Sequence, residues 1–135
     1  MKGVRPLIAV IDDEEDIILF LRMALGDHGF DVAGSSTSAG AIDFLEQHQP
    51  DLICLDLLMP RRTGAGLYHE IVSNKNLRHC PVIIISGLGV RHELEDIIGK
   101  SGDVATPAAF IEKPINIDEM VRTINELLQD IGQEV

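Results

Sequence analysis

Tryptophan is absent from this 135-residue chain, aromatic residues make up only 4%, and Lys and Arg together number 11 against 22 Asp and Glu. So few aromatics leave no stacking platform for bases or sugars. The shortage of basic residues gives a net charge of −11. That argues against nucleic acid as a direct partner, because phosphate backbones are held by clustered Lys and Arg. It suits a cation, a basic protein surface or plain solubility. No window approaches the roughly 18 consecutive apolar residues of a membrane span. The opening Met1-Lys2-Gly3-Val4-Arg5-Pro6 lacks the pattern of a signal peptide. These absences predict a cytoplasmic protein that stays off the membrane. The only cysteines, Cys54 and Cys80, show no Cys-x-x-Cys spacing and no nearby histidine pair, so they read as buried thiols rather than zinc ligands. His28, His48, His69, His79 and His92 are scattered, none with a chelating neighbour.

What the chain does contain is a regular alternation of two apolar patterns, at 45% hydrophobic residues overall. Short runs that are apolar throughout, Leu7–Ile11, Leu52–Leu55 and Val82–Ile85, predict strands buried on both faces, with weaker candidates at Phe30–Ala33 and Ala109–Ile111. Between them, apolar residues recur at helical spacing: Ile17, Ile18, Leu21 and Leu25; Ile42 and Leu45; Leu67, Ile71 and Val72; Val90, Leu94, Ile97 and Ile98. The clearest stripe runs through Ile117, Met120, Val121, Ile124, Leu127, Leu128 and Ile131. Gly29 is placed to end the first helix, Asn116 with Glu119 resembles a capping box opening the last, and Pro50 and Pro81 precede strands. Five β–α units in a row predict an α/β doubly wound (βα)5 sandwich of flavodoxin-like type. Its five-stranded parallel sheet would have the order 2-1-3-4-5, in one domain over residues 1–135 with no output domain.

Folds of this kind bind ligands at the carboxyl ends of the strands. The residues that follow the strands are Asp12-Asp13-Glu14-Glu15-Asp16 after the first, Asp56 after the third, Ser86 after the fourth and Lys113-Pro114 after the fifth. Each has an ordinary explanation: acids favour a helix start, Asp56 can serve a turn, Ser86 a loop, and Lys113 the surface. Their convergence is another matter. Carboxylates gathered at neighbouring strand ends repel one another unless a counter-charge is present. Lys113 supplies one, and a hard divalent cation with oxygen ligands, Mg²⁺ by preference, would supply the rest. A carboxylate nucleophile beside such charges is the equipment of phosphoryl transfer.

Asp12-Asp13, Asp56-Leu57-Leu58-Met59-Pro60, Ser86-Gly87 and Phe110-Ile111-Glu112-Lys113-Pro114, in this order and spacing, resemble a two-component response-regulator receiver domain over about Pro6 to Leu128. The resemblance implies that Asp56 is the phosphoacceptor and Asp13 a direct Mg²⁺ ligand. It implies that Asp12 acts mainly through metal-bound water, with Asp56 and the backbone carbonyl of Leu58 completing the protein ligands. Ser86 takes the place of the switch hydroxyl, Lys113 pairs with Asp56 and then with the phosphoryl group, and Phe110 takes the aromatic switch position. For Phe110 an ordinary core aromatic is an equal reading. The Lys113–Pro114 bond is expected to be cis.

The implied partners are a histidine kinase or phosphotransfer protein and an unknown downstream protein, the chain being a monomer or weak homodimer. It would accept a phosphoryl group without being a conventional turnover enzyme. Leu58 and Leu88 cannot orient a hydrolytic water, which predicts slow self-dephosphorylation. Arg61 and Arg62 depart from the family pattern, and residues 99–107 form an additional Gly/Ser/Pro-bearing loop.

Other functions fit less well. A flavin carrier needs a phosphate cradle where the acidic run stands, and a phosphatase using a first-strand Asp would show Asp-x-Asp, which Asp12-Asp13-Glu14 does not supply. A docking module that works without phosphorylation remains the alternative.

Overall fold

The computed structural model describes residues 5–57, 64–87 and 106–133. Strands β1 (Leu7–Ile11), β2 (Asp31–Ser35), β3 (Leu52–Asp56), β4 (Val82–Ser86) and β5 (Ala109–Glu112) form one parallel sheet in the order β2-β1-β3-β4-β5. Helices α1 (Glu15–Gly26), α2 (Ala41–His48), α3 (Gly64–Ser73) and α4 (Ile117–Gln133) connect or follow them. The expected fold class and strand order are both found. The helix expected around Val90–Ile98 lies outside the described residues, as do Leu58, Arg61, Arg62, Leu88 and most of the 99–107 loop.

The period of two along each strand sorts side chains onto opposite faces of the sheet. Ala9, Ile11, Ile53, Leu55 and Ile84 pack with Leu45 of α2 and with Leu67, Tyr68 and Ile71 of α3. Ile8, Val10, Leu52, Cys54, Ile83 and Ile85 pack with Ile18, Leu21 and Leu25 of α1 and with Met120 and Ile124 of α4. Both faces are covered, which is why the strands carry no polar alternation. Truncating one of these fully buried residues, such as Ile53→Ala, costs about 2–5 kcal/mol. On the α1 side the helix sits so close to β2 that a Cβ on Gly34 would collide with Cγ2 of Ile18.

The punctuation differs from expectation at one place. α1 ends at Gly26, and Gly29, at φ 96°, closes the turn beyond it, where Phe30 N–H donates to Leu25 O at 3.1 Å. The last helix opens as expected, with Glu119 N–H donating to Asn116 Oδ1 at 3.0 Å, the forward half of a capping box. Among the described residues, no helix is long and apolar enough to cross a membrane.

Candidate functional site

Because every strand runs the same way, the sheet places the residues that end β1, β3, β4 and β5 along one edge. Asp12 follows β1 directly, and its N–H donates to Ser35 O at 3.1 Å, fixing the backbone against β2. Asp56 and Ser86 are the last residues of β3 and β4. Lys113 follows β5 and its N–H donates to Ser86 O at 2.8 Å; the Lys113–Pro114 bond is cis, as expected. Asp12, Asp56 and Ser86 are the buried polar residues of the described chain, at 1%, 3% and 0% exposure. Burying two carboxylates at adjacent strand ends is costly unless opposite charge is at hand.

Lys113 provides that charge. Its Nζ lies 2.8 Å from Glu14 Oε1, 3.3 Å from Asp12 Oδ2 and 3.6 Å from Asp56 Oδ2. Burial works against charge on this lysine, but the hydrogen bond to Glu14 and the fields of Asp12 and Asp56 outweigh it and push its pKa above the ordinary lysine value. Burial also pushes the Asp12 carboxyl above the usual 3.8, opposed by the Glu14 backbone N–H and by Lys113. Among the described residues, one lysine leaves the cluster acidic.

Two atoms in this pocket have no hydrogen-bond partner, Asp12 Oδ2 and Ser86 Oγ. The ion pair of Asp12 Oδ2 with Lys113 does not close the first gap with hydrogen-bond geometry. One carboxylate oxygen from each of Asp12, Asp13 and Asp56 falls within 4.8 Å of the others, with Asp13 exposed and the other two buried. An all-oxygen donor set with an unsatisfied buried carboxylate oxygen fits a hard cation that keeps part of its water shell.

The structure thus brings Asp12, Asp13, Asp56, Ser86 and Lys113 together. Phe110 lies in β5, half-buried, with its ring against the cluster on the α2 and α3 side of the sheet. The backbone carbonyl of Leu58 belongs to a residue outside the described set. Glu14 was not singled out in the sequence. It is one of five consecutive acids, and only the reach of Lys113 across the ends of β4 and β3 shows which of them meets the lysine.

A family model described as the response regulator receiver domain matches residues 8–125. The polar-differentiation response regulator DivK of Brucella ovis is 26% identical over 123 residues, covering 91% of this chain and 96% of that protein. NtrX of Brucella abortus superposes with a TM-score of 0.79 at 27% identity, covering 97% of this chain and 28% of NtrX. A response regulator receiver domain protein from Clostridium thermocellum, at 23% identity, shares the fold with a TM-score of 0.82 over 96% of this chain and 99% of its own. With the strand order, the acidic edge and the family match in agreement, the chain belongs to the response regulator receiver domains of two-component signalling systems.

Proposed function

We propose that Asp56 is the phosphoacceptor of an Mg²⁺-dependent switch, charged by a histidine kinase or a phosphotransfer protein. The observation that carries this reading is the placement of a buried Asp56 carboxylate between two further aspartates and a lysine at the carboxyl edge of the sheet. An Asp56 oxygen attacks phosphorus, the bond to the donor breaks with its electron pair leaving on the donor, and an acyl phosphate is formed. Asp12, Asp13, Asp56 and the Leu58 carbonyl would hold Mg²⁺, which, when bound, offsets charge on the phosphoryl oxygens.

Lys113 stands close enough to Asp56 to follow the new negative charge. Ser86 Oγ, without a hydrogen-bond partner at rest, is available to donate to a phosphoryl oxygen. That donation is what would draw the β4 end inward, with Phe110 responding and the downstream protein reading the result. The family relation supports these roles. Leu19, Phe20 and Met23, the exposed large apolar residues of the described chain, lie on α1, the helix that starts at the acidic edge. A protein donor would cover them.

The chain then acts as a cytoplasmic phosphorylated signal carrier rather than a turnover enzyme, and it loses its phosphoryl group slowly. Intact mass after incubation with acetyl phosphate tests the central step. One added phosphoryl group is expected in the presence of Mg²⁺, none with EDTA, and none in Asp56→Asn. An adduct that survives either change removes the reading. No adduct in the native chain, from acetyl phosphate or a phosphorylated protein donor, favours the docking module instead.

A further inference from the structure

Glu14 occupies a place in the site that the acceptor chemistry does not require. It is the residue before the first turn of α1, and its backbone is pinned. Its N–H donates to Asp12 Oδ1 at 2.9 Å, and its carbonyl accepts from Ile17 and Ile18 at 3.0 and 3.3 Å. The side chain makes no capping bond. It reaches over the pocket to Lys113, the residue 99 positions away, at 2.8 Å, the shortest of that lysine's three carboxylate contacts. Its side chain is 59% exposed whereas that of Asp12 is 1% and that of Asp56 is 3% exposed. Lys113 is therefore flanked by buried acids on the inside and by Glu14 on the solvent side, where a donor must enter.

We propose that Glu14 is a donor-specificity residue, whose carboxylate at the pocket mouth disfavours anionic acyl phosphates relative to donors that carry the phosphoryl group on nitrogen. The proposal rests on the reading of Asp56 as acceptor. In both cases an Asp56 oxygen forms a bond to phosphorus. From acetyl phosphate the P–O bond breaks, and the electron pair departs on acetate, an anion that leaves past Glu14. From an N-phosphoryl donor already protonated on its nitrogens the P–N bond breaks, and the nitrogen keeps the pair and departs as a neutral amine or imidazole. A fixed carboxylate at the mouth raises the barrier for the first and lowers or spares it for the second. Glu14 also engages the lysine that the incoming phosphoryl oxygens need, so a donor bringing extra negative charge meets a cation already partly satisfied.

The test measures rates of phosphoryl incorporation by intact mass with acetyl phosphate and with phosphoramidate, which carries less negative charge at neutral pH. Native chain, Glu14→Gln and Glu14→Asp are compared at saturating Mg²⁺, with Mg²⁺ affinity measured separately by calorimetry. In Glu14→Gln the ratio of the acetyl phosphate rate to the phosphoramidate rate should rise about threefold or more, as removal of one charge several ångströms away would give. Glu14→Asp keeps the charge and should keep the native ratio. At about 1 M salt, where the screening length falls to roughly 3 Å, the difference between native chain and Glu14→Gln should close. A Glu14→Gln ratio equal to the native one, or equal acceleration of both donors, overturns the proposal and leaves Glu14 as a structural partner of Lys113. Failure of both donors to label the native chain, or labelling of Asp56→Asn, would instead overturn the acceptor reading.

Discussion

At the amino ends of the strands Arg5 Nη2 donates to Gly26 O at 2.7 Å and to Phe30 O at 3.0 Å while its Nε pairs with Asp31 at 3.1 Å. There too Leu7 N–H donates to Asp51 Oδ2 at 2.8 Å, and Cys80 Sγ lies 3.2 Å from Pro50 O. At the carboxyl ends of the same strands Asp12 Oδ2 and Ser86 Oγ are buried without hydrogen bonds, and among the described residues one lysine is shared among three carboxylates. Burial of unsatisfied polar atoms costs about 1–3 kcal/mol each. One end is closed by hydrogen bonds and an ion pair, and the other leaves buried polar atoms unsatisfied. The difference teaches where to expect gains of stability on mutation and where losses.

The sharpest way to break this contrast is Asp56→Asn. If the carboxyl edge is kept for phosphoryl acceptance, labelling by acetyl phosphate should fall to nothing while the fold persists, because one member of a repelling carboxylate group has been neutralised. Labelling by mass and thermal melting, run together, decide it; a fold that collapses without labelling would mean that Asp56 is structural.

Metal addition is the next largest effect. Mg²⁺ at about 100 times its Kd should stabilise the native chain by about 2.7 kcal/mol, since the unfolded chain does not assemble the three aspartates. Melting with Mg²⁺ and with EDTA measures it. The gain should vanish in Asp13→Asn, and a gain that survives would place the cation elsewhere.

Most of the architecture was legible in the residues. Fully apolar runs such as Val82–Ile85, short and rich in β-branched residues, fit strands covered on both faces, and the residues that end such strands in a parallel sheet share one edge. This is why the sequence alone points to Asp12, Asp56, Ser86 and Lys113. The helix end near Gly29 was displaced because chain conformation past Gly26 depends on where Phe30 docks, a tertiary matter. Glu14 was illegible for a related reason. Five consecutive acids look alike in one dimension, and only the crossing of a lysine side chain over two strand ends distinguishes one of them.

A smaller effect separates the two ends energetically. Asp12→Asn keeps an oxygen for the Glu14 N–H but removes a buried charge whose ionisation burial disfavours. In metal-free protein at neutral pH it should raise stability by about 1 kcal/mol, read by denaturant unfolding, while weakening the Mg²⁺ effect. A loss of stability would show that Lys113 repays the burial of Asp12 in full, and the carboxyl edge would then be no less satisfied than the amino edge.

The finest test lies at the amino end, where the Cys80 thiol is buried beside the Pro50 carbonyl. Burial, with the Asp51 carboxylate adding to it, pushes the Cys80 thiol from its ordinary 9.0 up to about 11. Between those values the unfolded chain has lost this proton and the folded chain still binds it. Stability therefore falls as pH rises through that window and is unaffected by this group below it. Asp51→Asn retains a carbonyl that can accept the Leu7 N–H but deletes the charge, so the Cys80 thiolate becomes easier to form. Alkylation of Cys80 at pH 9 should quicken by about twofold, and the alkaline loss of stability should begin at the same pH but be smaller and end at lower pH, because only the folded-state value has come down. Cys54, whose thiol burial alone pushes up to about 12, should stay unreactive in both proteins and serves as the internal reference. Unchanged or slower labelling of Cys80 would mean that its protection is steric, which would leave the amino end stable through packing alone and sharpen the contrast with the charged edge opposite.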